Sequence, residues 1–268
     1  MPVVSTGEVE LSYERSGSGP PLLMIMGATG TALSWGEPFL DALRQDFETI
    51  VYDNRGIGKS SRVEEPFTTA QLAQDAAGLL DALELDTAHV LGISMGGMAA
   101  QELALARPER IRTLTLGCTY CGGEGSSLTS PEVLQRMAEA RTSGDRERAI
   151  RASWEANVSA GFAADAEAYA AFHARSLARR VAVPVIVAQV QAIAAHDTYA
   201  RLPGLTMMPT LVVHGTEDEI FAVSNGRLVA ARIPDARLEI LDRVGHLFFL
   251  EVPQRSAELV REHAAVHA

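Results

Sequence analysis

The segment from His89 to Ala100, HVLGISMGGMAA, restricts the fold more than any other part of the chain. It places a serine in the pattern G-x-S-x-G, where an apolar run ends and a helical pattern begins. The pattern alone arises by chance in about one chain in ten of this length. A sharp strand-to-helix turn requires both flanking elements, so the context predicts that Ser94 occupies such a turn with a positive φ. Gly92 and Gly96 then stand where a Cβ atom would collide as the chain folds back.

Short apolar runs recur along the chain, and each is followed by turn residues and a helical pattern. They are Leu22–Met26, Thr49–Tyr52, His89–Ile93, Ile111–Leu116, Thr210–Val213 and Leu238–Leu241. Nearly continuous apolar runs are typical of parallel strands that helices cover on both faces. The helical patterns lie at Gln71–Leu83, Met95–Ala106 and Ser256–Val266, and Val9–Glu14 alternates as an antiparallel edge strand would. We therefore predict an α/β fold with a doubly wound, mostly parallel sheet.

Residues 119–205 interrupt this rhythm, because they carry helical patterns and no convincing strand. We predict a helical lid inserted into a core formed by residues 1–118 and 206–268. A separate helical domain is the alternative, but an apolar run resumes at Thr210. The many apolar and alanine positions of the insertion predict a mainly hydrophobic pocket beneath it.

Composition limits the classes of partner. A formal net charge of -11 argues against nucleic acid and anionic membranes as partners, since both need a basic face. No apolar stretch approaches the ~20 residues of a membrane helix, and the N-terminus lacks the pattern of a signal peptide. We therefore expect a cytoplasmic protein, and the oligomeric state stays open.

A serine hydroxyl becomes a strong nucleophile only beside a base, and the seven histidines are the candidates. His246 follows the last apolar run, in a short loop that opens a helix. Loops after parallel strands share one edge of the sheet, so His246 is the best placed of them. A capping role beside Gly245 is its alternative. Three neighbouring acids, Glu217, Asp218 and Glu219, follow the preceding run, and their chemistry alone does not rank them.

Five segments together resemble the α/β-hydrolase superfamily, over nearly the whole chain. They are Pro20–Gly27, Tyr52–Ser60, the G-x-S-x-G segment, Gly215–Asp218, and Gly245–Leu247 with Glu251 and Pro253 behind it. The resemblance implies Ser94 as nucleophile, Asp218 as the orienting acid and His246 as base. It also implies that the backbone amides of Ala28 and Met95 form an oxyanion hole. The insertion stands where the family carries its lid.

The resemblance further implies hydrolysis of a carboxylic ester, thioester or lactone through an acyl-serine intermediate, with no cofactor and no metal. The expected partner is a small, mostly apolar substrate. Carbon–carbon bond hydrolysis and cofactor-free perhydrolysis use the same triad and stay open, as does a ligand-binding sensor with a vestigial triad. Met26-Gly27 stands where relatives often carry His-Gly, which leaves the backbone donor in place.

Three other features have two interpretations each. Cys118 and Cys121 have the spacing of a redox pair or half a metal site, but buried cysteines are the default. The segment Asn54–Gly58 resembles a phosphate loop only loosely, and a tight turn beside the site is the better account. Trp35 either lines the acyl pocket or packs in the core.

Overall fold

The computed structural model describes residues 1–63, 65–178 and 181–267. Eight strands form one sheet in the order β1-β2-β4-β3-β5-β6-β7-β8. Their bounds are β1 Val3–Ser5, β2 Glu10–Gly17, β3 Pro21–Ile25, β4 Glu48–Tyr52, β5 Ala88–Ile93, β6 Ile111–Gly117, β7 Thr210–Gly215 and β8 Arg237–Leu241. Strands β3 to β8 run parallel to one another, whereas β2 pairs antiparallel with both β1 and β4. The predicted α/β class and all six predicted parallel strands are confirmed.

The predicted antiparallel strand exists, but the prediction that it lies at the edge of the sheet is wrong. The segment Val9–Glu14 corresponds to β2, which is antiparallel as expected but lies between β1 and β4. The strand at this edge of the sheet is β1, where Val4 pairs with Leu11. Three residues are too short for an alternating pattern to stand out, so sequence periodicity did not reveal this strand.

Helices cover both faces of the sheet. Their bounds are α1 Glu37–Leu43, α2 Thr69–Ala82, α3 Met95–Ala106, α4 Pro131–Thr142, α5 Arg146–Asn157, α6 Ala166–Leu177, α7 Val183–Ala195, α8 Val223–Arg232, α9 Phe248–Glu251 and α10 Pro253–Val266. Apolar side chains of α2, α3 and α8 share one core cluster, and those of α1, α9 and α10 share another. This division is the doubly wound arrangement. Within the described ranges, no helix has the length and apolar character needed to cross a bilayer.

Four helices, α4 to α7, lie between β6 and β7, and the described residues of 119–205 form no strand. A buried polar network joins the end of α7 to the core. His196 Nδ1 lies 2.9 Å from the Thr69 hydroxyl on α2, and its Nε2 lies 3.4 Å from the Thr198 hydroxyl. Thr198 in turn donates to Gln101 on α3 over 2.6 Å. These hydrogen bonds therefore hold the C-terminal part of the insertion, just before β7, against α2 and α3.

Acid should weaken this anchor. Burial lowers the pKa of His196 from 6.5 to about 4. Between these values the unfolded chain binds more protons than the folded chain, so the His196 contribution to stability is lost as the pH falls. At pH 5 the loss is about 2 kcal/mol for this one group. We expect His196→Gln to lose less unfolding free energy than the wild type between pH 7.5 and pH 5, as measured by urea denaturation. Equal losses in the two proteins would contradict this account.

Candidate active site

Ser94 lies between β5 and α3 in a strained backbone conformation, with φ 57° and ψ -124°. This confirms the positive φ that the sequence predicts. The neighbouring glycines allow a very close approach of the backbone. A Cβ atom on Gly96 would lie 2.0 Å from the carbonyl oxygen of Ile25, and one on Gly92 would lie 2.4 Å from the Gly96 oxygen. A larger residue at position 92 therefore forces β5 and α3 apart, and one at position 96 forces α3 away from the end of β3.

The backbone of Ser94 is fixed on both sides. Its amide donates to the Gly117 carbonyl over 2.9 Å, and the Thr119 hydroxyl donates to the Ser94 carbonyl over 2.8 Å. The Ser94 side chain makes no hydrogen bond to another residue of the described ranges, and Ser94 is 7% exposed. A Cβ atom on Gly27 would lie 3.5 Å from the Ser94 hydroxyl oxygen. The loop after β3 therefore borders this hydroxyl.

Asp218 and His246, which lie 28 residues apart, form a buried pair. The Nδ1 atom of His246 lies 2.8 Å from Asp218 Oδ2. The other oxygen, Oδ1, accepts from the backbone amides of Ile220 at 2.8 Å and Phe221 at 2.9 Å. Burial on its own would raise the pKa of Asp218, but His246 and a hydrogen bond from His214 outweigh burial and hold that pKa below its ordinary value. The carboxylate is therefore ionised at neutral pH.

Among the three neighbouring acids, the structure brings only Asp218 to His246. Glu217 accepts from the Ala160 amide over 3.0 Å, and Glu219 forms an ion pair with Arg136 at the surface. His214 also reaches the Asp218 carboxylate, since its Nε2 lies 3.1 Å from Oδ2 and 2.7 Å from the Phe221 carbonyl oxygen. Sequence reasoning missed this second imidazole. Its spacing of four residues from Asp218, across the turn after β7, was the available signal.

Three potential metal ligands, Cys118, His214 and Asp218, have donor atoms within 4.8 Å of one another. Each of these three side chains already makes a hydrogen bond within the protein. A carbonyl oxygen only accepts hydrogen bonds, so His214 Nε2, beside the Phe221 carbonyl, carries a proton and has no free lone pair. Burial raises the pKa of the Cys118 thiol well above its usual range, which keeps the thiol protonated. Both cysteines are free and buried, and burial raises the pKa of Cys121 to about 11.

The loop of residues 26–32, which follows β3, is held by three polar side chains. Asn54 donates to the Met26 carbonyl over 2.9 Å, and Asp53 accepts from the Ala32 amide over 2.9 Å. Gln189, on α7 of the insertion, accepts from the Thr29 amide over 2.9 Å. The segment Asn54–Gly58 is a tight turn, in which the Ile57 amide donates to the Asn54 carbonyl. The turn interpretation of this segment is therefore confirmed.

Trp35 belongs to the core. It is fully buried, and its ring centroid lies 4.8 Å from that of Phe249. Of the two interpretations of Trp35, core packing is therefore the one that agrees with the structure.

Glu251 ties the loop that carries His246 to the insertion. Its Oε1 accepts from the amides of Gly245 and Ser159, each over 2.8 Å, and its Oε2 accepts from the Ser159 hydroxyl over 2.6 Å. In addition, the Leu247 amide donates to the Asn157 carbonyl over 2.9 Å. The loop that follows α5 and the His246 loop thus form one hydrogen-bonded unit.

Two surface clefts lie near these elements, and Ser94 borders neither. One, of about 400 Å³, runs between α2 and α3. The other, of about 670 Å³, lies between residues 159–165 of the insertion and the elements that carry Glu217 and Glu251. The apolar pocket expected beneath the insertion stays a prediction.

Comparison with known proteins places the chain in a family. A family profile described as "alpha/beta hydrolase fold" matches residues 20–253. The chain is 31% identical to the putative carbamate hydrolase RutD of Azorhizobium caulinodans, over 97% of each chain. It is 32% identical to a poly(3-hydroxyalkanoate) depolymerase of Ectopseudomonas oleovorans, over 91% of this chain and 87% of that one. The crystal structure of the enol-lactonase from Burkholderia xenovorans superimposes with a TM-score of 0.81 at 27% identity, covering 98% of this chain and 100% of that one.

Removing the Glu251 carboxylate should loosen the His246 loop. Glu251→Ala deletes three charge-assisted hydrogen bonds and leaves two backbone amides without that partner, so we expect a loss of about 2–3 kcal/mol in unfolding free energy. Glu217→Ala is the matched control, because it deletes one bond to the same segment of the insertion. Hydrogen exchange should also show lower protection of the Gly245 and Ser159 amides in Glu251→Ala alone. Equal stability and equal protection in the two variants would contradict the role of Glu251.

Proposed function

This chain belongs to the α/β-hydrolase fold family of enzymes, and on that premise we propose that it is a serine hydrolase. Its substrate is a carboxylic ester, thioester or lactone of a small, mostly apolar molecule. One observation carries the proposal: an ionised, buried Asp218 is hydrogen-bonded to His246 at the sheet edge where the strained turn holds Ser94. The names of relatives, a poly(3-hydroxyalkanoate) depolymerase and an enol-lactonase among them, support acyl transfer to water.

In the proposed mechanism, Asp218 orients the base. A carboxylate accepts a hydrogen bond, so His246 Nδ1, 2.8 Å away, carries the proton and Nε2 keeps its lone pair. Nε2 takes the proton of Ser94 as the serine oxygen attacks the substrate carbonyl, and a tetrahedral oxyanion forms. The imidazolium then gives this proton to the leaving alcohol, thiol or ring oxygen. Water, deprotonated by the same imidazole, hydrolyses the acyl-serine and releases the acid.

The oxyanion is proposed to bind the amides of Met95 and Ala28. The Met95 amide lies at the N-terminus of α3, where unpaired N–H groups and the helix dipole favour negative charge. Ala28 lies in the loop that Asn54, Asp53 and Gln189 hold. A preorganised donor of this kind typically contributes about 2.7–4 kcal/mol to the transition state.

Residues 119–205 are proposed to act as a lid on the core of residues 1–118 and 206–268. Ser94 is 7% exposed and His246 is 4% exposed, and a movement of α4–α7 is proposed to admit the substrate to them. The buried end of α7 at His196 and the bonds to Glu251 are the points about which such a movement would occur.

Substitution of the nucleophile tests the proposal directly. We expect the wild type to hydrolyse p-nitrophenyl esters and to bind a fluorophosphonate covalently, and Ser94→Ala to lose at least about 1,000-fold in kcat without labelling. Ser18→Ala, an exposed turn serine, is the matched control and should behave as the wild type. Full activity of Ser94→Ala on the esters would refute the mechanism. A wild type that neither hydrolyses the esters nor reacts with the probe would instead identify a ligand-binding protein.

A further inference from the structure

We propose that Gln189, on α7 of the insertion, is a substrate-recognition residue whose side-chain N–H groups bind an uncharged oxygen in the acyl part of the substrate. The inference rests on the proposed function, because it names the class of acyl group that the same site accepts. It goes beyond the triad, since the triad alone does not select among acyl groups.

The orientation of the Gln189 amide follows from its partner. The Thr29 backbone amide can only donate, so the atom 2.9 Å from it must be the accepting Oε1. The Nε2 atom is therefore the other in-plane end of the amide group and is directed away from the Thr29 amide. Gln189 is 1% exposed, which makes it one of the few polar side chains buried in the insertion.

The Nε2 atom of Gln189 is buried and has no hydrogen-bond partner in the part of the chain that the structure describes. A buried donor without an acceptor costs about 1–3 kcal/mol. Such a cost is offset if a ligand supplies the acceptor when it binds. The two N–H groups of Nε2 are therefore available to a substrate atom.

The position of this donor points to the acyl group. Thr29 directly follows Ala28, the proposed oxyanion donor, and Gly27 borders the Ser94 hydroxyl. Gln189 thus approaches the oxyanion loop from the side of the insertion. An acyl chain whose carbonyl occupies the proposed oxyanion hole would extend beneath the insertion, within the region that α7 covers.

The chemistry of the donor defines the ligand. An amide N–H is neutral, and the neighbouring buried residues on α7, Val185, Ala188 and Ala192, are apolar. An uncharged oxygen suits this setting better than a carboxylate, because an anion would lose its hydration without gaining a charged partner. Keto, ether, hydroxyl and amide oxygens all fit. We infer an acyl group that carries such an oxygen a few atoms from the scissile carbonyl.

Pairs of p-nitrophenyl esters test this inference. Methoxyacetate is compared with butanoate, 3-methoxypropanoate with pentanoate, and 4-methoxybutanoate with hexanoate, so that one ether oxygen replaces one methylene at increasing distance from the carbonyl. The readout is the oxygen preference, meaning kcat/KM of the ether ester divided by that of its hydrocarbon partner. The intrinsic chemical reactivity of each ester does not depend on the enzyme variant. It therefore cancels when oxygen preferences are compared between variants.

Three variants separate the roles of the two amide atoms. Gln189→Met removes donor and acceptor at similar length, and Gln189→Glu keeps an acceptor for Thr29 but removes the donor. Gln191→Met, at an exposed position on the same helix, is the matched control. For at least one pair we expect both Gln189 variants to lower the oxygen preference by about tenfold, and Gln191→Met to leave it unchanged.

An oxygen preference that stays within about twofold of the wild type for all pairs in both Gln189 variants would overturn the inference. Hydrolysis of the hydrocarbon esters would persist in that case, so the proposed function would stand. If the wild type hydrolysed neither the ether esters nor the hydrocarbon esters, the proposed function and the inference would both be overturned.

Discussion

The sharp turn at Ser94 is the constraint on which the rest of the arrangement depends. The turn exists because α3 lies so close to β5 at residue 92, and to the end of β3 at residue 96, that only glycine fits there. A Cβ atom at these positions would lie 2.4 Å and 2.0 Å from a backbone oxygen. A strained residue of this kind costs about 1–3 kcal/mol. The surroundings hold it in place, since β5 is buried along its whole length and α3 shares a hydrophobic core cluster with α2 and the sheet. Strain at one residue thereby lifts a hydroxyl above the end of a central strand.

Parallel topology brings the remaining groups to the same edge of the sheet. Asp218 follows β7, His246 follows β8 and the loop of residues 26–32 follows β3, so residues distant in sequence meet where these strands end. Two of the contacts between the insertion and this edge involve loops of the proposed machinery. Glu251 joins it to the loop of His246, and Gln189 joins it to the loop after β3. A movement of the insertion therefore acts on both proposed halves of the machinery, the base and the oxyanion hole.

Sequence patterns predicted the parts of the structure that residues close together in the chain determine. Continuous apolar runs located the parallel strands, and the glycines around Ser94 predicted its positive φ. The three-residue edge strand β1 escaped notice because it is too short for a pattern. The sequence did not predict that Gln189 and Glu251 join the insertion to the core, because their partners lie 160 and 92 residues away. Strand pairing has a register that can be predicted, but the packing of an inserted helix has none. Asp218 was separated from its two acidic neighbours by family resemblance, and of the three it is the one that contacts His246 in the structure.

The most direct test of the account is a crystal structure of the enzyme after reaction with a fluorophosphonate, because the bound phosphonyl group imitates the tetrahedral intermediate. We predict a covalent bond from phosphorus to the Ser94 oxygen, with one phosphonyl oxygen within hydrogen-bond distance of the Ala28 and Met95 amides. His246 Nε2 should lie within hydrogen-bond distance of the Ser94 oxygen or the leaving-group oxygen, while Nδ1 keeps its contact with Asp218. A phosphonyl oxygen directed away from both amides, or an imidazole turned away from Ser94, would contradict the central claim.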